Sequence, residues 1–415
     1  MSDAPLTPDS QGAAVGFRDF AMGRHRSLWG DAWHRLISSA TGRVGLALVV
    51  FLVLGAVLSH FFWEYNPKTD LDYSLKLKPP NLTRTEEIDS IHPFGTDRLG
   101  RDVFRRVVHG GWNSLRVGLV AVGISLIIGG LLGLLAGFYE SMPLGSVAKF
   151  ILYGGMGLLF GAAIAWLSRQ TYPLFLFPIL AGIAFYWENL WRGKPQRSLA
   201  FGLVGLVLGG LPGMFAGPLS ALVCGLVGLV GGLTLSMSLS GTLVSNIIMR
   251  VMDIILAFPG ILLAIAIVAM LGPGLDKGMI AIGFVGIPVY ARLVRASVLS
   301  VIQKEYVTAG LSVGVGQGRI LFRHIVPNTL SPIIVQSTMG LASAILWAGA
   351  LGFLGLGAIP PEAEWGAMLG ESYKFLTSGA WWAVVFPGVA IMLSVLGFNL
   401  LGDGLRDALD PQLQM

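Results

Sequence analysis

The sequence predicts an all-α polytopic membrane protein, and three observations predict it: 54% hydrophobic against 12% charged residues, apolar runs of around 20 residues, and abundant glycine. Soluble domains carry about one-quarter charged residues, so lipid is the solvent for most of this chain. A run of about 20 residues spans roughly 30 Å as helix, the thickness of the hydrocarbon core. A porin-like barrel would need many short alternating strands instead. The 57 glycines suit membrane helices that pack backbone to backbone, and would weaken the helices of a soluble protein.

Cys224 is the only cysteine, sits in an apolar run and can form no internal disulfide. The formal net charge of +5 reads as a topology signal, because basic residues gather beside membrane spans. No polybasic, aromatic-interleaved groove points to nucleic acid.

Residues 1–43 form a polar tail in which Arg24, Arg26, Arg35 and Arg43 precede the first apolar run, and this places the tail in the cytoplasm. That run, 44–62, is too long for a typical signal-peptide core and no A-x-A site follows it, so it reads as an uncleaved first transmembrane helix. A wet segment, 63–113, follows with Pro67, Pro79 and Pro80. Within it GTDRLGRDVFRRVVHGG puts Leu99, Val103, Phe104, Val107 and Val108 on one helical face and the arginines elsewhere, which predicts an amphipathic helix along the membrane surface. Its arginines conflict with the positive-inside rule, since an N-inside first span places them outside.

Further spans at 114–138, 251–271, 279–299, 330–356 and 382–401 complete six core helices. Between the second and third lies an apolar insertion, 142–243, with candidate spans at 147–166, 172–190, 198–216 and 220–237. An even number of crossings preserves the orientation of the flanking pieces. Four crossings give about ten helices in total and put the connector of Arg192, Lys194 and Arg197 inside. Two crossings with re-entrant segments remain the alternative, because Pro212 interrupts one candidate.

Residues 300–328 are different. Lys304, Glu305, Arg319 and Arg323 could not sit at mid-bilayer, where each costs roughly 2.5–3.5 kcal/mol. The stretch is also punctuated: a helix-favouring segment from Glu305, a cluster at Gly314, Gly316 and Gly318, and a second helical segment stopped before Pro327. A helix, a turn and a helix held between two spans make a rigid element able to receive force from a soluble partner.

This loop resembles the EAA motif of ABC importer permeases. Its form, with Glu305, Tyr306, Ala309, Gly310, Gly314, Arg319, Arg323, His324, Pro327 and Asn328, is similar to the dipeptide, oligopeptide and nickel subgroup. HPFGTDRLGRDVF, NIIMRVMDIILAFP, LGFLGLGAIPPEAEWGAML and FNLLGDGLRDALDP match the same subgroup, and together the blocks resemble its C-type permease more than its B-type. The resemblance implies a type I importer transmembrane domain, with the permease core over 114–411. Its partners would be a sister B-type permease, two ABC ATPases carrying ATP and magnesium, and an extracytoplasmic substrate-binding protein. It also implies a bacterial inner-membrane location, with both termini and the loop cytoplasmic and the Arg98 to Arg106 stretch outside despite its charge. Members of the subgroup run directly from a GFY like that ending at Tyr139 into an NIIMR-like stretch, so the insertion is a departure whose role cannot be carried over.

Glu305 is an ATPase contact or a surface carboxylate paired with Lys304 or Arg319. Arg319, Arg323 and His324 touch the partner or anchor the interface. Asp253 serves an ion relay or, more simply, pairs with Arg250 or another helix end. Pro259 and Pro387 kink spans as gate hinges or through packing alone. Glu362, Glu364 and Trp365 contact a delivery protein or cap the outer mouth. No phosphate loop GxxxxGK[ST] is present, so ATP chemistry belongs to another chain and no cofactor is expected on this one. The six histidines lack metal-ligand spacing, and no Ser/His/Asp grouping is suggested. The function expected is half of an ATP-driven pathway for di- and oligopeptides, with nickel or another small solute as the alternative cargo. A channel, secondary transporter or membrane scaffold is the rival of another class, and the first two would need an intramembrane ion site or a selectivity filter.

Overall fold

The computed structural model describes residues 28–62, 70–83, 90–142, 157–158, 164, 173–186, 195–214, 224, 226–229 and 241–409. Among these residues, with four shorter helical segments, are twelve helices of eight residues or more. In chain order they are α1 Leu28–Ser38, α2 Ala40–Phe62, α3 Val103–Ser141, α4 Pro173–Tyr186, α5 Pro195–Met214, α6 Gly241–Leu256, α7 Gly260–Leu271, α8 Leu275–Ile302, α9 Glu305–Ser312, α10 Val326–Phe353, α11 Trp365–Ser372 and α12 Trp382–Leu409. Strand pairing among the described residues is limited to two isolated bridges, Asn81 with His92 and Thr96 with Asp102.

Among the described residues five helices are long and apolar enough to cross a membrane, Ala40–Ser59, Val103–Ser141, Leu275–Ile302, Gln317–Phe353 and Trp382–Leu409, and a bent pair, Thr242–Leu256 with Gly260–Leu271, is so when taken together. The five agree with five of the six expected core spans. The sixth differs. The apolar run expected as one span over 251–271 is two helices, α6 and α7, broken at Ala257, Phe258 and Pro259. Proline there cannot donate a backbone hydrogen bond and disfavours helix in the residue before it, so α6 ends and α7 starts afresh with Pro259 as its N-cap.

The amphipathic surface helix expected before the second span is not a separate element. Helix begins at Val103 and continues without a break to Ser141, so its first turns belong to the second span. In the insertion, α4 and α5 fall at two of the four candidate positions, and neither is among the five crossing helices. The candidates at 147–166 and 220–237 lie largely outside the described residues, as do Arg24, Arg26, Pro67, Arg192 and Lys194.

The chain divides into two units. The first comprises 1–129, 258–290 and 328–415. Its centre joins Val117 and Ala121 of α3, Ala264 of α7, Ile282 and Val285 of α8, and Ala344 of α10. A second cluster brings Val107, Ile345, Trp365, Met368, Trp382 and Phe398 together. The amphipathic α1 buries Ala32 and Leu36 against Ala408 and Leu405 of α12, leaving Trp33 and Ile37 exposed.

The second unit comprises 130–257 and 291–327. Phe177, Leu180 and Ala181 of α4, Phe201 of α5 and Cys224 pack with Val244 of α6, so the insertion shares a core with this unit's permease helices. The end of α3 and the later part of α8 approach so closely at Gly133 that an added Cβ would lie 2.3 Å from the Ala291 carbonyl oxygen. Backbone contact of this kind is how membrane helices associate without a hydrophobic driving force.

Candidate functional site

The wet loop is built as its punctuation predicts. Lys304, in extended conformation, opens α9, and its carbonyl accepts the Val307 N–H. Glu305 occupies the first turn, where the partial positive charge of the helix end favours a carboxylate. Val307 turns inward and is buried, while Glu305, Tyr306 and Ala309 face outward. The helix ends in a Schellman turn: the Val315 N–H donates to the Gly310 carbonyl and the Gly314 N–H to that of Leu311. Gly314 has φ +83°, a left-handed conformation that side chains with a Cβ resist.

The return limb starts with a helical turn, Gln317–Arg319, and continues as a π-helical segment, Ile320–Ile325, into α10. Ile320 and Ile325 are buried, which fixes the face this limb turns inward. The rings of Tyr306 and His324 lie 6.3 Å apart and join the two limbs. Arg319, Arg323, Pro327 and Asn328 are exposed. Among the described residues Glu305 has no ion-pair partner, so local pairing with Lys304 or Arg319 is not what holds it. Exposed large apolar side chains also stand in this charged loop, Val313 at 85% and Phe322 at 70% exposure. Sequence reading passed over both, because an apolar residue in a membrane protein draws no notice until its place outside the lipid is known.

Asp253 pairs with Arg292 on α8 at 2.6 Å rather than with Arg250, and both side chains are half-exposed. Glu140 at the end of α3 accepts from Arg295 and from the Ser245 hydroxyl. Pro259 stands at the break already described, and Pro387 is buried within α12.

At the segment before α3, two of the four arginines expected on a surface face, Arg101 and Arg106, are interior, while Arg98 is part-buried and Arg105 exposed. Arg101 and Arg106 are each 1% exposed and share Asp97, with nitrogen to oxygen distances of 2.6 Å. Glu371 at the end of α11 completes the group, 2.6 Å from Arg101 and 3.2 Å from Arg106. Burial alone would lower the Arg101 pKa, but the charges of Asp97 and Glu371 outweigh it and raise the value, so the guanidinium stays charged. Two cations and two carboxylates cancel, so Arg101 and Arg106 add no net charge to this segment, while Arg105 is exposed. Alternation of charge at 97, 101 and 106 was visible in sequence. Glu371, 270 residues from Arg101, was not.

Glu364 and Trp365, expected at an outer mouth, are each 2% exposed. Glu364 caps α11, accepting the Gly366 and Ala367 N–H groups at 2.9 and 2.8 Å and the Ser114 hydroxyl at 3.2 Å. Its carboxyl is pushed above the usual range by burial, against the lowering effect of these donors. The Trp365 indole donates to the Val107 carbonyl. Both therefore act on internal packing, while Glu362 remains exposed.

A Ser/His/Asp chain does exist, contrary to the sequence reading. Ser90 Oγ lies 2.7 Å from His92 Nε2, and His92 Nδ1 lies 2.8 Å from Asp102 Oδ2. Asp102 Oδ1 accepts the Arg105 N–H in the first turn of α3, and His92 also pairs with Asn81. The chain clasps a loop onto a helix start. Among the described residues no group of three or more His, Cys, Asp or Glu could hold a metal ion.

Comparison with known proteins accords with this architecture. Residues 226–415 match the family described as the binding-protein-dependent transport system inner membrane component, and residues 27–80 the N-terminal transmembrane domain of oligopeptide transport permease C. The dipeptide transport system permease protein of Alkalihalophilus pseudofirmus is 36% identical over 393 residues, covering 94% of this chain and 91% of that protein. The di/tripeptide transport system permease protein of Pseudomonas aeruginosa is 36% identical over 384 residues, 92% of each. The dipeptide transport system permease protein of Escherichia coli is 54% identical over 168 residues, which are 40% of this chain and 56% of that protein, so it is the shorter of the two. With a membrane-helical core, a punctuated wet loop and near full-length relatives, this chain belongs to the inner-membrane permease components of binding-protein-dependent transport systems.

Proposed function

We propose that this chain forms half of the membrane pathway of an ATP-driven importer of di- and oligopeptides. A sister permease would supply the other half, two soluble ATPases the energy, and an extracytoplasmic binding protein the cargo. The names of its relatives favour peptides over nickel.

The observation that carries the coupling role is the loop between α8 and α10. It holds Glu305, with no ion-pair partner among the described residues, and the exposed Val313 and Phe322 on a frame closed by a Schellman turn. Exposed apolar side chains among charged ones on a folded projection are what a protein partner binds. In this reading both termini and the loop face the cytoplasm. ATP binding closes the ATPases, the closure pushes α9, and helices continuous with the loop tilt to open the pathway outward. Hydrolysis resets it.

The test is the double variant Glu305→Ala with Gly314→Asp, purified with its ATPases and reconstituted with the binding protein. Loss of dipeptide-stimulated ATP turnover and of uptake is expected. Normal values for both would sink the coupling assignment, and failure of the wild-type chain to co-purify with any ATPase would sink the importer reading.

A further inference from the structure

In the first unit a half-open cavity of about 240 Å³ lies between α3, α8 and α10. Its walls come from the middle of three helices long and apolar enough to cross a membrane, and among the described residues no Asp, Glu, Lys, Arg or His lines it. The polar groups that reach it are all neutral: Ser125, Tyr290, Gln336, Ser343 and the Trp347 ring, set among Val122, Ile282 and Val285. We infer that this cavity receives the backbone of a peptide in transit, with Gln336 and Ser343 pairing to its amide groups.

Three close approaches show that the lining is built. A Cβ at Gly286 would lie 2.3 Å from the Ser125 hydroxyl, and one at Gly340 2.6 Å from the Tyr290 hydroxyl. A third, at Gly260, would lie 2.3 Å from the Trp347 ring. Such distances leave no room for a side chain, so in each case a glycine on one helix seats a polar or aromatic group from another. The Ser125 hydroxyl donates to the Gly283 carbonyl at 2.7 Å, which leaves its lone pairs to accept. Ser343 donates to the Met339 carbonyl at 3.3 Å and is left in the same state. Gln336 supplies a carbonyl and two N–H donors on one side chain.

Such a donor and acceptor set matches a peptide bond, which presents one N–H and one C=O whatever side chains flank it. A dipeptide is a zwitterion whose ammonium and carboxylate flank one neutral amide, and it is this amide that the neutral lining suits, while its charged ends lie beyond the residues that form the cavity. Selectivity for side chains is left to space: the Trp347 ring and the aliphatic wall set how large a residue passes. This inference rests on the peptide-import reading and adds the residues that touch the cargo.

The probe is a dipeptide carrying a diazirine leucine, irradiated during uptake by the complete importer in proteoliposomes. Labelled fragments containing 282–290 or 336–347, protected by excess dialanine, are expected. In parallel, Trp347→Ala should raise uptake of a bulky dipeptide relative to dialanine by about tenfold, the scale of discrimination by a few methylenes in an apolar pocket. Gln336→Leu should raise the uptake KM for both dipeptides while co-purification with the ATPases stays normal. Label confined to other parts of the chain, label that dialanine does not displace, or unchanged selectivity in Trp347→Ala would each overturn the cavity assignment. A lipid acyl chain or the sister permease would then be its occupant. If the wild-type importer assembles and hydrolyses ATP but takes up no dipeptide, the peptide reading itself fails, a result distinct from misplaced label.

Discussion

Asp97 meets two buried guanidinium groups at once and spends its other oxygen on the Leu99 and Arg101 backbone N–H groups. Replacing it with asparagine leaves Arg101 and Arg106 with Glu371 alone, one positive charge in excess. Breaking a buried ion group by removing one partner costs about 3–5 kcal/mol, so Asp97→Asn should sharply reduce the yield of folded complex and lower its thermal midpoint in detergent. Glu364 makes a second residue-scale prediction. Burial raises its folded pKa above the value in the unfolded chain, so between the two values the folded state holds the proton more tightly. Stability should therefore be fully present below the ordinary carboxylate range and fall as pH rises through the raised value. Glu364→Gln should remove that slope, which thermal unfolding across pH would detect, while lowering stability overall because its amide nitrogen cannot accept the second N–H of the cap. Neither role was legible in sequence. Acidic residues beside an apolar helix read as surface groups until the fold carries partners to them from distant parts of the chain.

At the scale of the element, α9 and its Schellman turn were the most legible feature, because a charge that lipid excludes and a glycine that must turn both act locally. Gly314→Ala tests the turn alone. The left-handed conformation costs an L-residue about 1–2 kcal/mol, although open space surrounds the site, so the penalty is conformational and not steric. Uptake should fall with the ATPases still bound. The pair α6 and α7 was legible in part, since Pro259 marks a kink in the sequence but not a full break. Hydropathy averages over a window and treats 251–271 as one apolar run, whereas Pro259 ends a helix by removing one hydrogen bond and crowding the residue before it. The start of α3 was misread for a related reason: amphipathic spacing shows which face is apolar but not whether a polar face meets water or buried carboxylates.

At the scale of the whole molecule, the six apolar runs and the long insertion were plain from composition, since the solvent of a membrane span writes itself into the sequence residue by residue. What the insertion packs against was not, because a lipid-facing and a protein-facing glycine look alike on paper. Phe177, Phe201 and Cys224 share a core with Val244. Deleting 142–243 should therefore expose Val244 and lower the thermal midpoint of the assembled complex, measured beside the intact chain. An unchanged midpoint would mean that this core is incidental to the permease. The ion group around Asp97 has a consequence in time. Arg101 leaves the ribosome 270 residues before Glu371. At about 5–20 residues per second, synthesis of that stretch lasts roughly 14–54 s. For that interval two arginines have one carboxylate between them, and the early loop cannot reach its final form until nearly the last helix has been made. Maturation of this chain is thereby timed from its far end.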